Sequence, residues 1–134
     1  GLDERPGLSE VLLGAVPLQA ALRRPDELPS LTVLGGGAPR KVVPGEFAGD
    51  ALTRVLEELR GSHDAVLVDA PPALMEPGVL ALVRASNAAV AISRARVSTK
   101  DGIVDVQDLV ERAGTEFLGV VLNRWRPELS KGIG

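Results

Sequence analysis

The stretch VLVDAPP, residues 66–72, carries the first candidate chemistry: an apolar run ends on Asp69, and two prolines follow shortly after. A carboxylate that a buried strand delivers to a loop can orient water on a Mg²⁺ ion bound to phosphates. Mg²⁺ takes hard oxygen ligands and keeps several of its waters. The same residues also make an ordinary polar strand end, and the pattern alone leaves both readings open. Pro71 and Pro72 fix φ and remove two backbone donors, so the chain must leave this point stiffly. That suits a loop held beside a ligand and a plain strand exit equally.

A phosphate cradle is the natural companion to such an acid. The pattern sought is G-x-x-x-x-G-K-[ST] after a strand, in which glycines let backbone N–H groups converge on phosphate. GGGAPRKV (35–42) follows an apolar run and contains Lys41. It has Arg40 where the second glycine should be, Val42 where the hydroxyl should be, and Pro39 in place of a donor. It reads as a loop and not as a phosphate loop. LRRPDE (22–27) reads as a solvated helix end. His63 is the only histidine and precedes an apolar run at its amino end, away from where ligands bind, so a surface role is expected. With one His and no Cys, neither a Ser-His-Asp triad nor a thiolate metal site can be assembled.

These residues need elements to position them. LTVLG (31–35), AVLVD (65–69), AAVAIS (88–93) and FLGVVLN (117–123) are nearly continuous in apolar residues, as strands covered on both faces are. Helical spacing runs through 47–60, with Phe47, Ala51, Leu52, Val55, Leu56 and Leu59 on one side and Gly61 as a stop. A second helix is expected over 77–85, opened by Pro77, and a third over 99–113, with Thr99 as N-cap and Gly114 beyond its end. The order after residue 30 is β-α-β-α-β-α-β, which predicts a doubly wound α/β parallel sheet of about four strands. Open sheets of this kind bind ligands beyond the carboxyl ends of their strands. The polar groups there are Asp69, Ser93–Arg94 and Asn123–Arg124.

Residues 1–30 read as an irregular, partly helical lead-in, 31–123 as the alternating core and 124–134 as a surface tail, all within one domain. At 134 residues with 45% apolar and 2% aromatic content, the core is one of Leu, Val, Ile and Ala. A net charge of −3 with mixed signs offers no footprint for nucleic acid. No apolar run approaches the ~18 residues that would span a bilayer, so no direct membrane insertion is expected. The chain begins with Gly1 and not Met, which points to a piece cut from something longer or to the scar of a tag.

In order and spacing, GLSEVLLG (7–14), LTVLGGGAP (31–39), HDAVLVDAPPAL (63–74) and FLGVVLNR (117–124) resemble the cytoplasmic domain of bacterial tyrosine kinases. Those kinases accompany polysaccharide chain-length regulators and fall within the MinD/ParA-like deviant-Walker P-loop ATPase group. The resemblance covers nearly the whole chain. GLSEVLLG and VDAPPAL are close to the kinase forms GLSDVL and IDTPP, and GVVLN is shared by the wider group. The resemblance implies that Asp69 is the Walker B acid, reaching Mg²⁺ through water. It also implies that Asn123 faces adenine, with Arg124 on the same rim. An amide carries both a donor and an acceptor, which suits a base edge.

The departures matter as much. Only six residues precede Gly7, where the family has a strand, the Walker A loop and the A′ acid. Gly78 stands where an aspartate usually follows the prolines, and there is no Tyr for the autophosphorylated cluster. The match is thus to the C-terminal part of a P-loop NTPase-like domain lacking its P-loop strand, which fits either a fragment of a longer protein or a degenerate homologue that kept the scaffold. The parent family uses Mg-ATP; this chain is expected to bind neither ATP nor Mg²⁺ appreciably and to be catalytically inactive as it stands. It is expected to be cytoplasmic, at the inner face of the membrane through a partner or through a missing N-terminal region. That partner would be a membrane-embedded chain-length regulator or a second copy filling the gap left by the P-loop strand. The alternatives are a non-enzymatic interaction or regulatory domain and a fragment of a ParA/MinD-type ATPase. The net charge does not favour the DNA-binding face the last of these would need.

Overall fold

The structure, a computed structural model, describes residues 6–38, 50–76 and 78–126. The chain divides into two compact units between Asp69 and Ala70, inside the stretch VLVDAPP.

In the first unit, α1 (Leu8–Leu12) and α2 (Leu18–Ala21) precede a short antiparallel pair, β1 (Leu22–Arg23) with β2 (Val33–Leu34), in which Leu22 faces Leu34. Helix α3 (Asp50–Arg60) follows, with Asp50 in its first turn and Arg60 in its last, both complementary to the helix dipole. Its buried residues Leu52, Val55, Leu56 and Leu59 keep the 3–4 spacing expected of a core-facing stripe. Val55 and Leu59 form the core with Leu18, and Leu8, Val11, Leu12, Leu22, Leu34 and Val66 pack around them. His63 closes the end of α3: its Nδ1 lies 3.1 Å from the Leu59 carbonyl oxygen and 2.9 Å from Ser62 Oγ.

The start of α1 is closed by the glycine-rich segment. Leu8 N–H donates to the Gly35 carbonyl at 2.8 Å and Ser9 N–H to that of Gly36 at 3.1 Å, while Ser9 Oγ donates to Gly36 at 2.7 Å. Glu10 completes the closure by accepting from Gly7 N–H at 2.8 Å and from Ala38 N–H at 3.2 Å. Helix N-terminal donors, which otherwise lack partners, are thereby satisfied. The approach is close enough that a Cβ on Gly7 would collide with backbone atoms of Gly35 and Gly37.

In the second unit, α4 (Val79–Arg84) leads to β3 (Ala88–Arg94), α5 (Lys100–Arg112) and β4 (Glu116–Asn123). Strands β3 and β4 run parallel, from Ala88 opposite Glu116 to Arg94 opposite Asn123. A β-α-β crossover of this kind is the building block of α/β folds. Thr99 caps α5 by accepting from Gly102 N–H at 3.1 Å. A register shift falls between Ala89 and Val90, where β4 bulges at Leu118. Gly119 takes φ +132 there, a conformation that L side chains rarely adopt. Thr115 is buried, and its hydroxyl donates to the Val83 carbonyl at 2.7 Å, tying the start of β4 to the end of α4.

The α/β class and the parallel pairing agree with the sequence reading, and the helices expected at 77–85 and 99–113 stand at Val79–Arg84 and Lys100–Arg112. Residues 47–49 of the first expected helix, Pro77 of the second and residues 39–42 of the glycine-rich loop lie outside the described residues. Two strand expectations differ. Only Val33–Leu34 of the 31–35 run is strand, and it pairs antiparallel with the lead-in. The 65–69 run enters no ladder among the described residues: Val66 packs on the core while Leu67 is 96% exposed. Apolar alternation makes a segment competent for a strand, but a strand needs a neighbour to pair with. The parallel sheet is accordingly two-stranded among the described residues.

Gly7→Ala is expected to destabilise the chain by about 1–3 kcal/mol, because the colliding atoms are backbone and cannot rotate away. Gly36→Ala, whose Cβ would meet nothing within 4 Å, is the control and should unfold like the parent. Urea titrations followed by far-UV circular dichroism measure both.

Candidate functional site

The carboxyl ends of β3 and β4 gather the polar groups of the second unit. Strand β3 delivers Ser93, which is buried, and Arg94, which is exposed; β4 delivers Asn123 and Arg124, both exposed. The loops that follow are joined by a hydrogen bond from Ala95 N–H to the Asn123 carbonyl at 3.0 Å. The loop after β3 is a closed turn: Val97 and Ser98 N–H donate to the Arg94 carbonyl at 3.1 and 3.0 Å, and Arg94 N–H donates to Ser98 Oγ at 3.0 Å. Parallel pairing, with Arg94 in register with Asn123, makes these two ends a single rim.

Backbone strain collects here. Arg96 (φ 65) and Arg124 (φ 56) are the non-glycine residues with positive φ among those described. Each such conformation costs on the order of 1–2 kcal/mol for an ordinary L-residue. At Arg124 part of this is offset by its own neighbour: Arg124 N–H donates to Asn123 Oδ1 at 2.8 Å. Asn123 therefore already uses one acceptor lone pair of its amide. The second lone pair and the two Nδ2 donors are left for a ligand.

A pocket of about 300 Å³ opens beside this rim, lined by Ala95, Arg96, Leu122, Trp125 and Arg126. The sequence reading took these last two as part of a surface tail. The signal that pointed to them was the triplet RWR, which puts the only tryptophan between two arginines directly after a strand end.

The remaining predicted site residue, Asp69, belongs to the first unit. It is exposed and sits at the end of the extended 65–69 run, next to the junction between the units. In the described part of the glycine-rich loop, the Gly35 and Gly36 carbonyls accept from Leu8 and Ser9 N–H at the start of α1. No group of three or more His, Cys, Asp or Glu converges among the described residues. Asp69 alone therefore fits only an outer contact, accepting a hydrogen bond from a water on Mg²⁺.

Open α/β sheets place ligand sites at the carboxyl ends of parallel strands, and the fold of this chain is similar to that of solved tyrosine kinase domains. The kinase domain of VpsO superposes over 92% of this chain and 60% of its own, with a TM-score of 0.82 and 20% identity. The BceF tyrosine kinase domain superposes over 88% of this chain and 48% of its own, with a TM-score of 0.75 and 26% identity. Among curated relatives, the tyrosine-protein kinase ptk of Acinetobacter johnsonii is 25% identical over 122 residues, 91% of this chain and 16% of that protein. The chloroplastic septum site-determining protein minD homolog of Arabidopsis thaliana is 27% identical over 138 residues, 98% of this chain and 42% of that protein. The chain thus spans less than half the length of either curated relative. Its homologues are bacterial tyrosine-protein kinases and MinD-type proteins, as the sequence motifs implied. No protein-family model matches it.

Asn123→Ala removes the acceptor that holds the Arg124 turn. The expected result is faster amide exchange at Arg124, by about fivefold, for the loss of about 1 kcal/mol of local hydrogen bonding. The midpoint of global unfolding should hardly move. Hydrogen exchange followed by NMR reads the first, and thermal melting reads the second.

Proposed function

We propose that this chain is the C-terminal part of a tyrosine-kinase-like ATP-binding domain that serves exopolysaccharide or capsular polysaccharide biosynthesis and export, and that by itself it transfers no phosphoryl group. The observation that carries this reading is the coincidence of two things. Tyrosine kinases match over nearly the whole of this chain in sequence and in fold. The strand-end rim also offers an exposed amide suited to a base, while the glycine loop commits the Gly35 and Gly36 carbonyls to α1.

In this reading Asn123 and Arg124 hold the adenine side of Mg-ATP, and Asp69 meets the Mg²⁺ through water. Phosphate donors come from elsewhere in the parent domain. The domain works in the cytoplasm, held at the inner face of the membrane by a membrane-embedded chain-length regulator. No helix among the described residues is long and apolar enough to cross a membrane.

A second reading, a non-enzymatic docking or regulatory domain, is favoured by one observation. Val90, Ile92, Leu118, Val120 and Leu122 all stand 43–72% exposed on β3 and β4. Parallel sheets are normally covered on both faces, and a regulator or a second copy of the chain would supply cover.

Calorimetry with Mg-ATP separates the parts of this proposal. This chain is expected to bind Mg-ATP with a Kd well above about 10 μM, because the phosphates find few donors. Micromolar binding would overturn the claim that the phosphate half is lacking. Mixing the chain with a detergent-solubilised chain-length regulator should give a complex on gel filtration, and two independent peaks would count against the docking role.

A further inference from the structure

We infer that the bare face of the β3–β4 pair is the contact surface of a homodimer, in which two copies of the chain stack sheet on sheet with their strands antiparallel across the interface. The inference rests on the docking reading of this sheet and commits it to one occupant, a second copy of the chain.

The register assigns each side chain to a face. Residues opposite one another in a sheet point to the same side, and successive residues along a strand point to opposite sides. Ala88, Val90, Ile92 and Arg94 therefore share a face with Glu116, Val121 and Asn123, and Leu118 joins them two residues after Glu116, at the bulge. The other face carries Ala89, Ala91 and Phe117, which are half-buried, and Ser93, which is buried; α5 packs against both strands. On the first face Val90 is 50% exposed, Ile92 72%, Leu118 61% and Val121 52%. That makes a bare apolar patch of roughly 400 Å² per copy, in the range of functional patches on monomers. Two such patches meeting, with the charged ends added, bury about 1,000 Å², the lower end for a specific interface.

Charge selects both the occupant and its orientation. The patch is bounded by Glu116 at the amino ends of the strands and by Arg94 at their carboxyl ends, both exposed and both on this face. A two-fold axis makes one surface its own partner. An axis along the strands would bring Glu116 toward the partner's Glu116 and Arg94 toward the partner's Arg94. An axis across the strands instead brings Glu116 toward the partner's Arg94 at both ends, with the apolar residues of the two copies between. Stacked sheets lie about 10 Å apart, a gap that branched aliphatic side chains fill and that the long Arg94 and Glu116 side chains can bridge. The face is thus complementary to itself in shape of charge as well as in apolar content.

Sedimentation equilibrium on the full chain, from low to high micromolar concentration, tests this. A reversible dimer with a Kd in the micromolar range is expected, since interfaces at the small end of the range are weak. Ile92→Lys and Val90→Lys should each leave only monomer. Val104→Lys, at an exposed position on α5, should dimerise like the parent. Arg94→Glu and Glu116→Arg should each weaken the dimer about tenfold, because each change acts at both symmetric contacts. The double variant, which exchanges the two charges, should recover dimerisation to within about threefold of the parent. Far-UV circular dichroism melts of each variant separate loss of association from loss of fold.

A parent that stays monomeric throughout would overturn the inference, as would a dimer indifferent to Ile92→Lys and Val90→Lys, or charge reversals that the double variant does not rescue. Gel filtration with a detergent-solubilised chain-length regulator distinguishes this failure from that of the docking reading. A monomeric chain whose complex with the regulator is lost in Ile92→Lys would sink the dimer and keep the docking face. A monomer that binds no regulator would sink both.

Discussion

The parallel pairing of β3 with β4 is the constraint on which the second unit depends. A parallel pair cannot be joined by a tight turn; the intervening segment must cross over, and here α5 does so. Once Ala88 is set opposite Glu116 and the bulge at Leu118–Gly119 has taken up the extra residue, Arg94 must arrive opposite Asn123. The two loops then leave from the same level, and the Ala95 to Asn123 hydrogen bond fastens them together. The rim, its strained arginines and the pocket follow from that one register. A slip by one residue would turn the strand's whole side-chain set over to the other face.

Much of this was legible beforehand, for definite reasons. The stripe in α3 and the Thr99 start of α5 are local signals, spelled by spacing and by a hydroxyl that can cap, so they could be read without knowing the fold. The α/β class followed from the alternation of apolar runs with helical patterns. Strand status at 65–69 was not legible, because AVLVD has the composition of a buried strand whether or not another strand lies beside it. The antiparallel turn of Leu22–Arg23 against Val33–Leu34 was missed because two-residue strands have no periodicity to detect. At the site, Asn123 and Arg124 could be placed at a strand end from the apolar run before them. The grouping of Arg96 with Trp125 and Arg126 could not, since residues thirty apart meet only through the register of β3 and β4.

The glycine-rich segment shows how composition can mislead where polarity decides. Three consecutive glycines after an apolar run look like the makings of an anion site. In the folded chain Gly35 and Gly36 are committed to α1 by their carbonyl oxygens, with Glu10 drawing in Gly7 and Ala38. The closeness that glycine allows is used for a helix cap. The first unit owes the entry angle of α1, and with it the packing of Leu8, Val11 and Leu12 on the core, to that cap.

Pro71 and Pro72 have a consequence that reaches past stiffness. Neither offers an N–H, so a ladder of hydrogen bonds advancing along AVLVD halts once it has passed Ala70. Any strand that comes to lie beside residues 65–69 is measured off at that length, as if against a ruler. The same full stop keeps an exposed Leu67 and Val68 from seeding a longer ribbon, the course by which bare apolar edges grow into fibrils.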